Sequence, residues 1–123
     1  MVILKQQQYQ HESNTWERLL DLFKQENSFL MNRLSEVLDS KEDKSFLPIA
    51  EHFQNQFILK DQYINELKRD IREQQRLLKN NLVMNDNINP AVVKRHEKLR
   101  NEMRYFEKDF SELKTEFNHS VEN

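Results

Sequence analysis

The stretch that decides the fold is VVKRHEKLRNEMRYFEKDFSELKTEF, residues 92–117. Its apolar residues, together with one histidine, recur at alternating steps of four and three. They are Val92, His96, Leu99, Met103, Phe106, Phe110, Leu113 and Phe117. Nearly every residue between them is polar. This seven-residue repeat is typical of a helix that presents one narrow seam to neighbouring helices.

The composition favours helices and excludes several kinds of site. The 123 residues include no glycine, no cysteine and two prolines, and 33% of them are charged. Without glycine, turns that need positive φ become improbable and glycine-rich phosphate-binding loops are excluded. Without cysteine, disulfides, thiolate nucleophiles and cysteine-ligated zinc are excluded. The sequence therefore predicts an all-α chain with charged outer faces around a narrow apolar core.

Two further stretches carry the same repeat. The first contains Val2, Tyr9, Trp16, Phe23, Leu30 and Val37, and the second runs through Phe46, Ala50, Phe53, Phe57, Lys60, Ile64, Leu67, Ile71, Gln74 and Leu78. We expect helices over about 4–39, 45–81 and 90–118, with polar turns at 39–44 and 80–89, in one domain over residues 1–123. Because short turns place consecutive helices side by side, we expect a long antiparallel up-down-up three-helix bundle with coiled-coil-like packing.

The start of the first helix has two interpretations. Asn14 followed by Glu17 has the spacing of a capping box, whereas the seven-residue repeat already includes Val2 and Tyr9. We favour the repeat, with a helix that begins near residue 4 and frays at its start.

Polar residues of the seams fall at matching heights in this bundle. Glu26 and Asn27 fall at the height of Lys60, and Gln74 falls at the height of His96, with His11 close to both. Around Lys60 we favour a hydrogen-bonded layer that fixes register and partner number. The alternative is a ligand or proton-transfer site built on a lysine with a lowered pKa.

For His96 we favour a hydrogen bond with Gln74 over a metal site. The candidate co-ligands of a metal site are His11, Glu12, Glu73 and Glu97. Di-iron bundles need Glu-x-x-His on two helices, and the sequence has it once, at Glu116–His119, while the His-Glu-x-x-His of hydrolytic zinc sites is absent. No serine lies in a glycine-flanked nucleophile elbow. We therefore expect no catalytic, cofactor-binding or metal-binding residues.

The net charge of −2 is unevenly distributed. Residues 68–104 hold ten Lys or Arg and five Asp or Glu. The basic end that they form contains Lys68, Arg69, Arg72, Arg76, Lys94, Arg95 and Lys98. We rank three interpretations in order: general solubility, contact with the acidic end of another subunit, and nucleic-acid binding. Nucleic acid ranks last because acids dilute the basic residues and no aromatic platforms interleave with them.

Apolar residues outside the seams exceed what three helices bury. The candidate interface consists of Leu22, Phe29, Ile58, Leu59 and Tyr63. Leu22 and Phe29 lie one above the other on the first helix, which suggests a second contact face. We expect a homodimer that pairs helices 1 and 2 across a two-fold axis, or a contact with another protein.

Several segments of the first two helices resemble a family of short all-helical bacterial proteins. They are Trp16-Glu17-Arg18, Glu26-Asn27, residues 32–37 (NRLSEV) and residues 51–58 (EHFQNQFI) followed by Lys60-Asp61. The resemblance implies an all-helical fold and a bacterial cytoplasmic setting. It implies no activity, cofactor or site residue.

These observations predict a non-enzymatic structural or protein-interaction module that self-associates. No apolar run approaches the ~20 residues of a membrane span, and Met1–Leu4 is too short for a signal peptide. We therefore expect a cytoplasmic protein with no membrane partner. The alternatives are a ligand-binding or catalytic bundle around Lys60 and a nucleic-acid accessory protein that uses residues 68–104.

Overall fold

The computed structural model describes residues 2–41, 44–84 and 88–122. Three α-helices lie in these ranges: α1 (Val2–Ser40), α2 (Leu47–Met84) and α3 (Pro90–Glu122), with one 3-10 turn (Lys44–Phe46) before α2. None of the described residues forms a strand, so the prediction of an all-α chain is confirmed. None of the described helices is both long and apolar enough to cross a membrane.

The start of α1 follows the seven-residue repeat, whereas the start of α3 follows a local capping signal. Helix α1 runs through Asn14 from Val2, so the repeat and not the capping box locates its start. Helix α3 begins at Pro90, and the Asn89 side-chain oxygen accepts a hydrogen bond from the Ala91 amide at 2.9 Å, as a cap does. It continues four residues beyond the expected end at 118, because Val121 still packs against the core.

The expected end of the second helix is wrong by three residues, since α2 continues to Met84. Fully buried Leu78 anchors the preceding turn, and an asparagine inside a helix costs less than about 0.7 kcal/mol. The asparagines at 80 and 81 therefore extend the helix. Residues 85–87 of the expected second turn, and residues 42 and 43 of the first, lie outside the described residues.

Side-chain contacts indicate how the helices run. Residues of increasing number along α1 contact residues of decreasing number along α2, and the same holds between α2 and α3. Between α1 and α3, the numbers of the contacting residues increase together. The α1–α2 pairs are Asn14–Gln75, Asp21–Lys68 and Lys24–Asn65, the α2–α3 pairs are Gln74–Val92 and Lys60–Asp109, and the α1–α3 pairs are Glu12–Arg100 and Glu26–Lys114. These contacts indicate opposite directions for consecutive helices and the same direction for α1 and α3.

The core consists of two apolar clusters with a polar layer between them. The larger cluster is rich in phenylalanine, and Phe117 meets Phe53 and Phe57 edge to face with ring centroids 5.3 and 5.2 Å apart. The smaller one contains Tyr9, Leu78 and Val92. In each helix, the seam position between the two clusters is polar: Ser13, Gln74 and His96.

Candidate functional site

His96 is the centre of the polar layer that divides the core. Its side chain is 0% exposed, and the expected contact with Gln74 is present, with Nδ1 3.3 Å from Gln74 Nε2. Gln74 Nε2 also donates to the Val92 carbonyl at 3.0 Å. Because an amide nitrogen can only donate, Nδ1 of His96 accepts and its Nε2–H donates to Glu12 Oε1 at 2.7 Å. The layer therefore fixes one neutral tautomer of the imidazole.

Two aromatic rings from α1 close over this imidazole. Tyr9 is stacked on His96 with ring centroids 3.9 Å apart, and Trp16 is tilted against it at 4.8 Å. Burial lowers the pKa of His96, since an apolar surrounding disfavours the charged ring, while the Glu12 carboxylate opposes that shift. The site thus holds a histidine that is neutral at pH 7.

Glu12 connects the buried imidazole to the surface through Arg100. The Arg100 guanidinium donates to both carboxylate oxygens, Nε to Oε2 at 2.9 Å and Nη2 to Oε1 at 2.6 Å. These bonds lower the pKa of Glu12 against the opposing effect of burial, and they raise the pKa of Arg100. The carboxylate therefore stays ionised, and its place next to the ring is set by a two-point contact.

His11 is not part of this layer, contrary to expectation. It is exposed and lies along the α1–α3 groove, and the adjacent Glu12 is the residue that bonds to His96. The expectation also missed Arg100, although a signal was available. Glu12 and Arg100 each flank the seam of their helix, and such flanking positions of parallel neighbours meet.

A groove of about 600 Å³ runs between α1 and α3 beside this network. Glu12, Arg100, Arg104 and Trp16 lie along it. Within the described residues, no three His, Asp or Glu side chains are grouped to hold a metal ion. Both ring nitrogens of His96 and both oxygens of Glu12 already have partners. These bonds join residues of all three helices, Glu12 of α1, Gln74 of α2 and His96 of α3.

The layer around Lys60 is divided among three separate contacts. Asn27 is 1% exposed and its Nδ2 donates to the Phe57 carbonyl at 2.9 Å, one turn before Lys60. Glu26 pairs with Lys114, and Lys60 pairs with Asp109 at 2.6 Å. Both charged residues therefore contact α3, and neither contacts the other. Within the described residues, Asn27 Oδ1 is buried without a hydrogen-bond partner.

An open groove lies next to Lys60, between α2 and α3. It measures about 330 Å³, and Leu59, Tyr63 and Tyr105 line it together with the Lys60–Asp109 ion pair. Burial and nearby carboxylates, Glu102 foremost, raise the pKa of Tyr63, so its hydroxyl stays protonated.

The five candidate interface residues do not form one patch. Leu59 and Tyr63 face the α2–α3 groove, and Tyr63 is half-buried against Phe106 with ring centroids 5.7 Å apart. Ile58 lies seven residues before Asn65, which contacts α1, so Ile58 is on the α1 side of α2. It is 40% exposed.

Leu22 and Phe29 form a separate exposed pair, which we call the α1 patch. Leu22 is 60% and Phe29 is 67% exposed. Gln8 and Thr15 line the α1–α3 groove, and steps of seven residues from them lead to Leu22 and Phe29. The α1 patch therefore lies on the α3 side of α1.

Four of the seven predicted basic-end residues form ion pairs within the chain. Lys68 pairs with Asp21, Arg72 with Glu17, Arg76 with Glu73 and Lys98 with Glu102. The Arg76 guanidinium lowers the pKa of Glu73. Arg95 donates to the Asp70 carbonyl at 3.3 Å. Only Arg69 and Lys94 of this set have neither an ion pair nor a side-chain hydrogen bond with a described residue.

Comparison of the chain with protein-family models, with curated protein sequences and with solved structures gave no match. The family resemblance of the first two helices therefore stays a prediction.

Proposed function

We propose that this protein is a non-enzymatic, cytoplasmic interaction module that associates with a second copy of itself. The scaffold is a long antiparallel up-down-up three-helix bundle with coiled-coil-like packing. The opposite order of contacts between consecutive helices and the seven-residue seams support this architecture.

The α1 patch carries the proposal. Leu22 and Phe29 are both more than half exposed on a helix whose other outward positions are mostly polar. Burying a leucine or phenylalanine side chain contributes about 1.5–3 kcal/mol each. Two such residues, seven positions apart on one face, supply a centre of the kind that stable interfaces have.

The polar layers support a structural role more than a chemical one. The ionisable groups of the His96 layer are bonded to one another, and Lys60 is bonded to Asp109. Buried polar groups of this kind fix which residues meet and how many helices pack, at some cost in stability. A module that presents one defined face to a partner needs helices that pack in one fixed arrangement.

Sedimentation equilibrium at micromolar concentration tests the proposal. We expect about twice the chain mass of 15.1 kDa for the natural sequence, and the monomer mass for a Leu22→Ser/Phe29→Ser double variant. Tyr105→Ser is the matched control, because Tyr105 is 65% exposed but lines the other groove. It should leave the mass doubled. A monomeric natural protein, or equal effects of the double variant and the control, would refute self-association through this patch.

A second function is favoured by one observation, the groove beside Lys60. A lysine whose side chain is only 13% exposed, paired with Asp109 at the edge of an open groove, suits a small-molecule ligand with a polar group. Lys60→Leu separates the two functions. A structural role predicts an unchanged or raised melting temperature with an altered oligomeric state. A ligand role predicts that a small molecule copurifies with the natural protein and is lost from the variant, which native mass spectrometry detects.

A further inference from the structure

The position of the α1 patch makes it suited to pairing with itself. Leu22 and Phe29 lie symmetrically about residues 25 and 26, four to five residues beyond the middle of α1 (Val2–Ser40). When two copies of one helix cross in opposite directions at that point, each Leu22 meets the partner subunit's Phe29. A two-fold interface requires this kind of self-complementarity.

The distribution of charge along the bundle distinguishes the two directions in which the helices could pair. The level of residues 25 and 26 divides the described chain into two halves. The half with residues 5–25, 64–80 and 88–113 holds fourteen basic and eleven acidic residues, and the half with 26–41, 44–63 and 114–122 holds five basic and seven acidic residues. Opposite directions place the positive half of one protomer beside the negative half of its partner, whereas the same direction places like charges together.

One unpaired arginine fits this arrangement in detail. Arg104 lies along the α1–α3 groove and has no ion pair with a described residue. Since Glu12 contacts Arg100 and Glu26 contacts Lys114, Arg104 is level with Trp16. A two-fold axis at residues 25 and 26 places that level opposite residue 35 of the other copy, next to the partner subunit's Glu36. Glu36 is exposed and likewise unpaired among the described residues.

We propose that two copies pair through α1 in opposite directions, with the two-fold axis at residues 25 and 26 and each Leu22 against the partner's Phe29. The inference rests on the proposed self-association and adds its surface, its direction and its register.

Cysteine cross-linking tests the register, because the natural sequence has no cysteine and single substitutions are therefore unambiguous. Arg18, Gln25 and Asn32 are exposed and lie three or four residues from the α1 patch, hence beside it. Gln25→Cys should form a disulfide-linked dimer by itself. Arg18→Cys and Asn32→Cys should each stay unlinked alone and should link when mixed, as differently tagged chains that reveal the heterodimer.

The expected pattern follows from distances along the helix. In the proposed register, residue 18 lies opposite residues 32 and 33 of the partner, whereas the two copies of residue 18 are separated by roughly 20 Å at 1.5 Å per residue. A disulfide needs Cα atoms within about 7 Å. If the two α1 helices instead pair in the same direction, the pattern is reversed. Arg18→Cys and Asn32→Cys then each form a linked dimer alone, and mixing them gives no cross-linked heterodimer.

The outcomes separate this inference from the proposed function. The antiparallel register is supported if Gln25→Cys forms a disulfide-linked dimer by itself and if Arg18→Cys and Asn32→Cys form one only when they are mixed. A dimer by sedimentation in which Gln25→Cys stays unlinked, or in which Arg18→Cys links with itself, overturns the register and leaves self-association intact. A monomer overturns both.

Discussion

Replacing Glu12 with alanine removes the acceptor of a fully buried N–H and one half of an ion pair. The His96 side chain is 0% exposed, and its Nε2–H bonds only to Glu12. Leaving this N–H without an acceptor costs about 1–3 kcal/mol. The Arg100–Glu12 pair is 31% exposed on each side, which limits its share to about 1 kcal/mol after screening. We expect the free energy of unfolding to fall by roughly 2–4 kcal/mol.

Two variants isolate the cause of that loss. Glu12→Gln keeps an acceptor for the imidazole and removes the charge, so it should lose only about 1 kcal/mol. Glu17→Ala breaks a more exposed pair, in which Arg72 is 65% exposed, and should cost less than about 1 kcal/mol. Urea unfolding followed by circular dichroism at the helix band measures all three. If Glu12→Ala costs no more than Glu17→Ala, the bond from the buried His96 N–H to Glu12 does not contribute the expected stability.

Three further predictions follow from single side chains. Burial lowers the pKa of folded His96 below its usual 6.5, so the unfolded chain binds the proton first and the free energy of unfolding should fall as the pH drops below about 6.5. Chemical unfolding of a His96→Gln variant should show no such decline. Equal declines in the natural protein and the variant would contradict this prediction. Asn27→Leu removes a buried unpaired oxygen together with the hydrogen bond from Nδ2 to the Phe57 carbonyl, and it should leave the melting temperature equal or higher. Because Asn27 is buried within one chain, the mass of the dimer should not change, and calorimetry and sedimentation check both expectations. Phe57→Ala, at a 0% exposed position, should cost about 3–5 kcal/mol in urea unfolding, whereas Phe29→Ala, 67% exposed, should change monomer stability by less than about 0.5 kcal/mol.

The sequence by itself determined that the chain forms three helices and which face of α3 is buried. Alternating steps of four and three predicted the buried face of α3 from Val92 to Phe117, and each of those eight seam residues is buried. This worked because a seam residue's burial depends only on the angle between successive side chains on one helix, which the helix geometry fixes. The Gln74–His96 contact could also be predicted from the sequence, since both are seam residues at one height of the bundle.

Only the tertiary structure decided which polar groups pair across helices. Glu12 and not His11 meets His96, Lys60 bonds to Asp109 and Asn27 bonds to a backbone carbonyl. It also separated Leu22 and Phe29 from Leu59 and Tyr63, which one-helix patterns had grouped together. The physical reason is that a repeat fixes the buried angle of each helix, whereas the rotation and offset between helices place a flanking side chain on one neighbour or another. A shift of one residue along α1 exchanges Glu12 for His11, and that choice is made only when three helices pack together.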